Sequence, residues 1–136
     1  MFTPASTRAA SAYKSVGIET SVHTADPHEL VNLLFNGLLQ SLGSAKAAVV
    51  RGDVGAKVRE IGRAVRYLDE GLIASLNEGE GGDLAANLRA LYDYSVLRLA
   101  QANMKNDAQI IEEVEKLIEP LAQSWKLIRA QATKGV

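Results

Sequence analysis

The sequence predicts an all-α protein, a mostly antiparallel four-helix bundle with a short N-terminal arm or capping helix. Three observations carry that prediction. Apolar residues recur at steps of three and four over long stretches, as a single buried helix face requires. Clear breaks divide the 136-residue chain into segments of matched length, each about 24 residues or roughly 36 Å as a helix. Almost nothing shows the alternation of a strand. Matched helices on short connections pack antiparallel.

The first helix opens at Asp26-Pro27-His28-Glu29. Asp26 can cap free amides, Pro27 suits the first helical position and Glu29 completes a capping box. Gly52 stops this helix near Arg51, and Asp53 caps the next. The second helix follows Val54, Val58, Ile61, Val65, Leu68, Leu72 and Leu76, and ends at the loop Asn77 to Gly82. A third starts at Asp83 with Leu84, Leu88, Leu91, Ser95, Leu99 and Ala102 on one face, up to Lys105-Asn106-Asp107. The fourth carries Ile110, Val114, Leu117, Leu121, Trp125 and Ile128. Pro120 inside it removes an amide donor and crowds the Lys116 carbonyl, which predicts a kink or break near Glu119. The resulting organisation is an arm over residues 1–24, a bundle over 25–132 and a flexible tail over 133–136.

A chain of this length fits one domain with a real core. Its hydrophobic fraction of 47% and charged fraction of 23% are those of a soluble globular protein. A net charge of −1 gives no global field for nucleic acid or an anionic membrane. Cysteine is absent, so disulfides and thiolate chemistry are excluded, which suits a reducing cytoplasm. No uninterrupted apolar stretch reaches the roughly 18 residues of a membrane span, so membrane insertion is not expected. The N-terminus has Arg8, Lys14 and several Ser/Thr with no acid before Glu19, features shared with transit peptides; it is read as a short arm.

The first helix is the unusual one. At about 100° per residue, Leu30, Val31, Leu33, Leu34, Phe35, Leu38, Leu39 and Leu42 cover an arc of about 240°, against about 120° on the second and fourth helices. Either this helix is central and covered by several neighbours, or part of it awaits another chain. Each exposed leucine would forgo about 1.5–3 kcal/mol, so an uncovered groove needs a partner or a flap. The arm, with Tyr13 as anchor, could be that flap.

Enzymatic chemistry finds no footing. The histidines, His23 and His28, straddle a helix start and cannot share a face, and no Glu-x-x-His pair of a di-metal bundle occurs. The run Glu112-Glu113-Val114-Glu115 has no histidine partner and reads as a solvated face. His28, in a first helical turn, does not suit histidine phosphotransfer. No serine lies in a nucleophile elbow. Gly79 to Gly82 lack the Lys-Ser/Thr of a phosphate loop and are surrounded by Glu78, Glu80 and Asp83. No cofactor or metal is expected.

Three stretches together resemble the flagellin export chaperone family, FliS. Thr24-Ala25-Asp26-Pro27-His28-Glu29-Leu30, continuing through Leu34-Phe35-Asn36-Gly37, is similar to the family's Thr-Ala-Ser-Pro-x-x-Leu and Leu-Tyr-Asp-Gly. Gly81-Gly82-Asp83-Leu84-Ala85-Ala86-Asn87-Leu88 is similar to Gly-Gly-Glu-(Ile/Leu)-Ala-x-Asn-Leu. It leads into Leu91-Tyr92-Asp93-Tyr94 with Arg98-Leu99 and Ala102-Asn103, the most specific piece. Tyr13 and Trp125 match family positions, so the resemblance spans Ala12 to Trp125. Asp26, Phe35, Asn36 and Pro120 depart from the pattern. Asp26 keeps a capping side chain and Phe35 an aromatic one, whereas Asn36 removes a charge.

The resemblance implies a non-enzymatic cytoplasmic chaperone. It would bind the disordered C-terminal segment of flagellin, prevent premature polymerisation and deliver the client to the flagellar type III export gate. A disordered amphipathic segment suits a helical bundle, because ordering entropy keeps the complex reversible. Candidate binding residues are Tyr13, Leu34, Phe35, Leu38, Tyr94, Arg98 and Asn103. Leu34, Phe35 and Leu38 form a groove wall or core. Tyr94 contacts the arm, a partner or its own helix. Arg98 and Asn103 satisfy polar groups of a bound chain or tie helix ends together. The competing reading is a structural or adaptor bundle that self-associates through its first-helix surface, a homodimer in the absence of client.

Overall fold

A computed structural model describes residues 26–76 and 78–134. Its elements are α1 (Pro27–Arg51), α2 (Val54–Arg66) with a π-helical continuation (Tyr67–Ile73), α3 (Glu78–Lys105) and α4 (Ala108–Lys134). Helices adjacent in sequence pack together, and α4 returns against α1 to close the ring. The result is an all-α antiparallel bundle, with no strand among the described residues.

Local chemistry explains the boundaries. The Asp26 carboxylate accepts from the Glu29 amide at 2.7 Å and starts α1 ahead of Pro27. Gly52, at φ 75°, ends it, with the Asp53 amide donating to the Ala48 carbonyl at 2.9 Å. Asp53 then caps α2 by accepting from the Ala56 amide at 3.1 Å. The α3–α4 turn repeats the device. Asn106 takes φ 53°, and Asp107 accepts from the Gln109 amide at 2.9 Å.

Three features differ from expectation. The third helix begins at Glu78, not Asp83, so most of the expected Asn77 to Gly82 loop is helical, with a bend at Gly82. The second helix is not α-helical to its end, because Tyr67–Ile73 takes π geometry. Tyr67 with Leu72 and Leu68 with Ile73 are all buried, and their i, i+5 spacing shares a face only in a π turn. The expected break at Glu119 does not occur; α4 continues through Pro120. Pro120 and Lys116 are both exposed, so the carbonyl deprived of its donor can turn to water.

The opening helix is central. Leu30, Leu34, Leu38 and Leu42 are fully buried against α2, its π continuation and α4. By length and composition α1 is also long and apolar enough to cross a membrane. Its leucines instead form the bundle core, each burial stabilising by about 1.5–3 kcal/mol. Gly37 permits the closest approach, because a Cβ there would lie 2.3 Å from Cζ of Tyr67. The expected arm and the last two residues of the expected tail lie outside the described residues, whereas α4 includes residues 133 and 134.

Candidate functional site

Among the described residues, one end of the bundle does not close. There the π segment hands over to α3 through a short connection, and Gly82, at φ 55° and ψ −132°, bends the chain where no side-chain-bearing residue would. The helices part around a cleft of about 500 Å³. Val31 and Phe35 of α1 line it together with Leu72, Ser75 and Leu76 after the π turn. Leu84, Ala85, Leu88 and Tyr92 of α3 and Leu121, Ser124, Trp125 and Ile128 of α4 complete the wall. No charged side chain is among them. Leu84 and Ile128 are 67% and 52% exposed, an arrangement that leaves apolar surface in contact with water.

The rim is fixed by polar contacts. Trp125 stacks on His28 with ring centroids 4.4 Å apart and planes 11° from parallel. Its indole Nε1 donates to the His28 carbonyl at 2.8 Å, tying the late part of α4 to the first turn of α1. Ser75 Oγ donates to the Leu72 carbonyl at 3.0 Å. Both ring nitrogens of His28 and Oδ1 of Asn32 are buried without a hydrogen-bond partner among the described residues. Burial pushes the Tyr92 phenol up to about 12.

The seven residues singled out from the sequence fall in different places. Phe35 lines the cleft. Leu34 and Leu38 are entirely buried beneath it as core. Tyr94 and Arg98 lie elsewhere, at the α3–α4 seam. There Tyr94 Oη donates to Glu113 at 3.2 Å, and Arg98 Nε donates to the same carboxylate at 2.6 Å. That contact with Arg98, with help from Tyr94, holds the Glu113 carboxyl below its ordinary value. Asn103 is at the opposite end, where its backbone carbonyl accepts from Lys57 Nζ at 3.0 Å. Tyr13 lies outside the described residues.

The sequence places Leu72, Leu84, Leu88, Leu121, Trp125 and Ile128 on core stripes; all six face the cleft, but Leu84 and Ile128 are exposed and not core. The cleft lies beside the α2–α3 connection, where the double glycine Gly81-Gly82 was the one available sign of an irregular junction. Among the described residues no three metal-ligating side chains come together.

Comparison with known proteins places this architecture. The family described as Flagellar protein FliS matches residues 9–132. The Flagellar secretion chaperone FliS of Salmonella typhimurium is 44% identical over 122 residues, 90% of each chain. That of Escherichia coli K12 is 38% identical over 115 residues, 85% of each. The Flagellar secretion chaperone FliSB of Pseudomonas aeruginosa is 37% identical over 118 residues, 87% of this chain and 93% of that one. A match of that extent, over a helical bundle with one end open, means that the chain belongs to the FliS family of flagellar secretion chaperones.

Proposed function

We propose that this chaperone binds the C-terminal segment of flagellin with the open cleft as a principal seat, keeps it from polymerising in the cytoplasm and passes it to the flagellar export gate. The observation that supports this reading is the uncharged cleft itself. It offers aliphatic and aromatic surface from four elements, as the apolar face of a client helix requires. Catalysis has no part in it. Phe35 is the sequence-derived candidate best placed to touch the client. In this reading Leu34 and Leu38 act from beneath, Tyr94 and Arg98 hold the α3–α4 seam, and Asn103 ties helix ends together away from the cleft.

Titration calorimetry with a peptide matching the C-terminal segment of the cognate flagellin tests the proposal. Binding with a large negative heat-capacity change and a gain in helicity is expected. No heat and no helicity change would refute it. The competing adaptor reading draws on Leu97 and Met104, apolar residues of α3 that are exposed outside the cleft. Light scattering distinguishes the two, because a tight dimer indifferent to the peptide favours the adaptor.

A further inference from the structure

Tyr92 is 3% exposed and lines a cleft whose other walls are almost wholly apolar. It makes no hydrogen bond within the described residues. Its hydroxyl is also not among the buried atoms left without a partner. The phenol is therefore embedded in the wall while its polar tip retains contact with solvent in the cleft. An occupant would strip that water. A hydroxyl then left unpaired is penalised, so a cleft meant only for apolar contact would be better served by phenylalanine.

We propose that Tyr92 is the cleft's polar reader, its hydroxyl donating to an uncharged acceptor on the bound flagellin segment. The assignment rests on the flagellin reading above. The acceptor is uncharged because no cationic side chain lines the cleft to support a carboxylate. In a helical client two sources supply such an oxygen: a free carbonyl at a helix end, or an Asn, Gln, Ser or Thr side chain. Tyr92 thus fixes the register of a client that apolar contact alone would let slide.

The test is Tyr92→Phe in the full chain, measured by calorimetry with the flagellin C-terminal peptide and by thermal unfolding without it. Tyr67→Phe is the control, since Tyr67 is equally buried and does not line the cleft. The expected result is affinity roughly three- to tenfold weaker for Tyr92→Phe, with no loss of unfolding temperature and no change in affinity for Tyr67→Phe. Equal or tighter binding by Tyr92→Phe overturns the assignment while leaving the flagellin reading intact. A drop in the free protein's unfolding temperature also overturns it, since the hydroxyl would then serve the fold. If the unaltered protein does not bind the peptide, the flagellin reading fails and the assignment with it. Double-mutant cycles against single polar positions of the peptide identify the source. Coupling at one position names a side-chain acceptor, and weakened binding with no coupled position names a backbone carbonyl.

Discussion

At the end of the bundle that carries the turns Gly52–Asp53 and Asn106–Asp107, every device is one of closure. A left-handed residue stops each helix and an aspartate restarts the next. Lys57, 6% exposed, reaches across to the Asn103 carbonyl and Asn106 Oδ1 at the end of α3. At the opposite end α2 and α3 are joined through a π turn and a bent glycine, and the helices leave a cleft. The buried residues change between the two ends as well as the connections: Ala45, Ala48, Ala56 and Ala102 lie towards the closed end, and Leu30, Leu34, Phe35, Leu72 and Tyr92 towards the open one. Small buried residues let the helices draw close at one end, while larger side chains beside an irregular junction leave apolar surface unfilled at the other.

The contrast can be broken experimentally. The largest effect belongs to Leu99→Ala, near the closed end and fully buried, which is expected to cost about 2–5 kcal/mol in denaturant unfolding. A loss well under 1 kcal/mol would mean that end is not tightly packed. Next is Lys57→Met, which keeps the stem and removes the donor from two acceptors. Its expected cost is about 1–3 kcal/mol, and an unchanged denaturation midpoint would dismiss Lys57 as a latch.

Leu84→Asp acts at the open end, where two-thirds exposure leaves little to lose in the free fold. Stability should stay within about 0.5 kcal/mol, while affinity for the flagellin peptide falls tenfold or more by calorimetry. The reverse pattern would place Leu84 in the core and empty the cleft of its role.

The smallest effect concerns Glu113. Its carboxyl is held below its ordinary value of 4.5, chiefly by Arg98, so the unfolded chain takes up a proton more readily than the folded one. The stabilisation is complete above that ordinary value and disappears as pH falls through the depressed one. Unfolding temperatures of wild type and Glu113→Gln should accordingly differ near neutrality and converge in acid. Parallel curves would show that the seam contact does not contribute.

Several helix ends were legible in the sequence. Asp26, Gly52, Asp53 and Asp107 are local signals whose chemistry acts within three residues, and each helix boundary they mark is where it was expected. The π turn was less legible. Ordinary three- and four-residue steps run through Val65 and Leu68, and only the successive fours at Leu68, Leu72 and Leu76 hint at slackened winding. The break foreseen at Pro120 is absent because a helix on the surface can offer water to an orphaned carbonyl. Lys57 escaped notice because its burial depends on Asn103 and Asn106, more than forty residues away. For the cleft, the sequence identified Phe35 and the breadth of apolar surface on α1. It could not separate wall from floor, since Leu34 and Phe35 are adjacent and belong to the same wide arc.

Trp125 is the chain's single tryptophan and sits at the rim of the cleft, clasped to the first turn of α1. All indole emission from this molecule therefore originates at the proposed docking site. Occupancy, departure and transfer of a client can be followed optically in the native protein, without a dye and without altering a residue. A shift in colour or intensity on mixing would record events at the open end alone, on the timescale of the encounter itself.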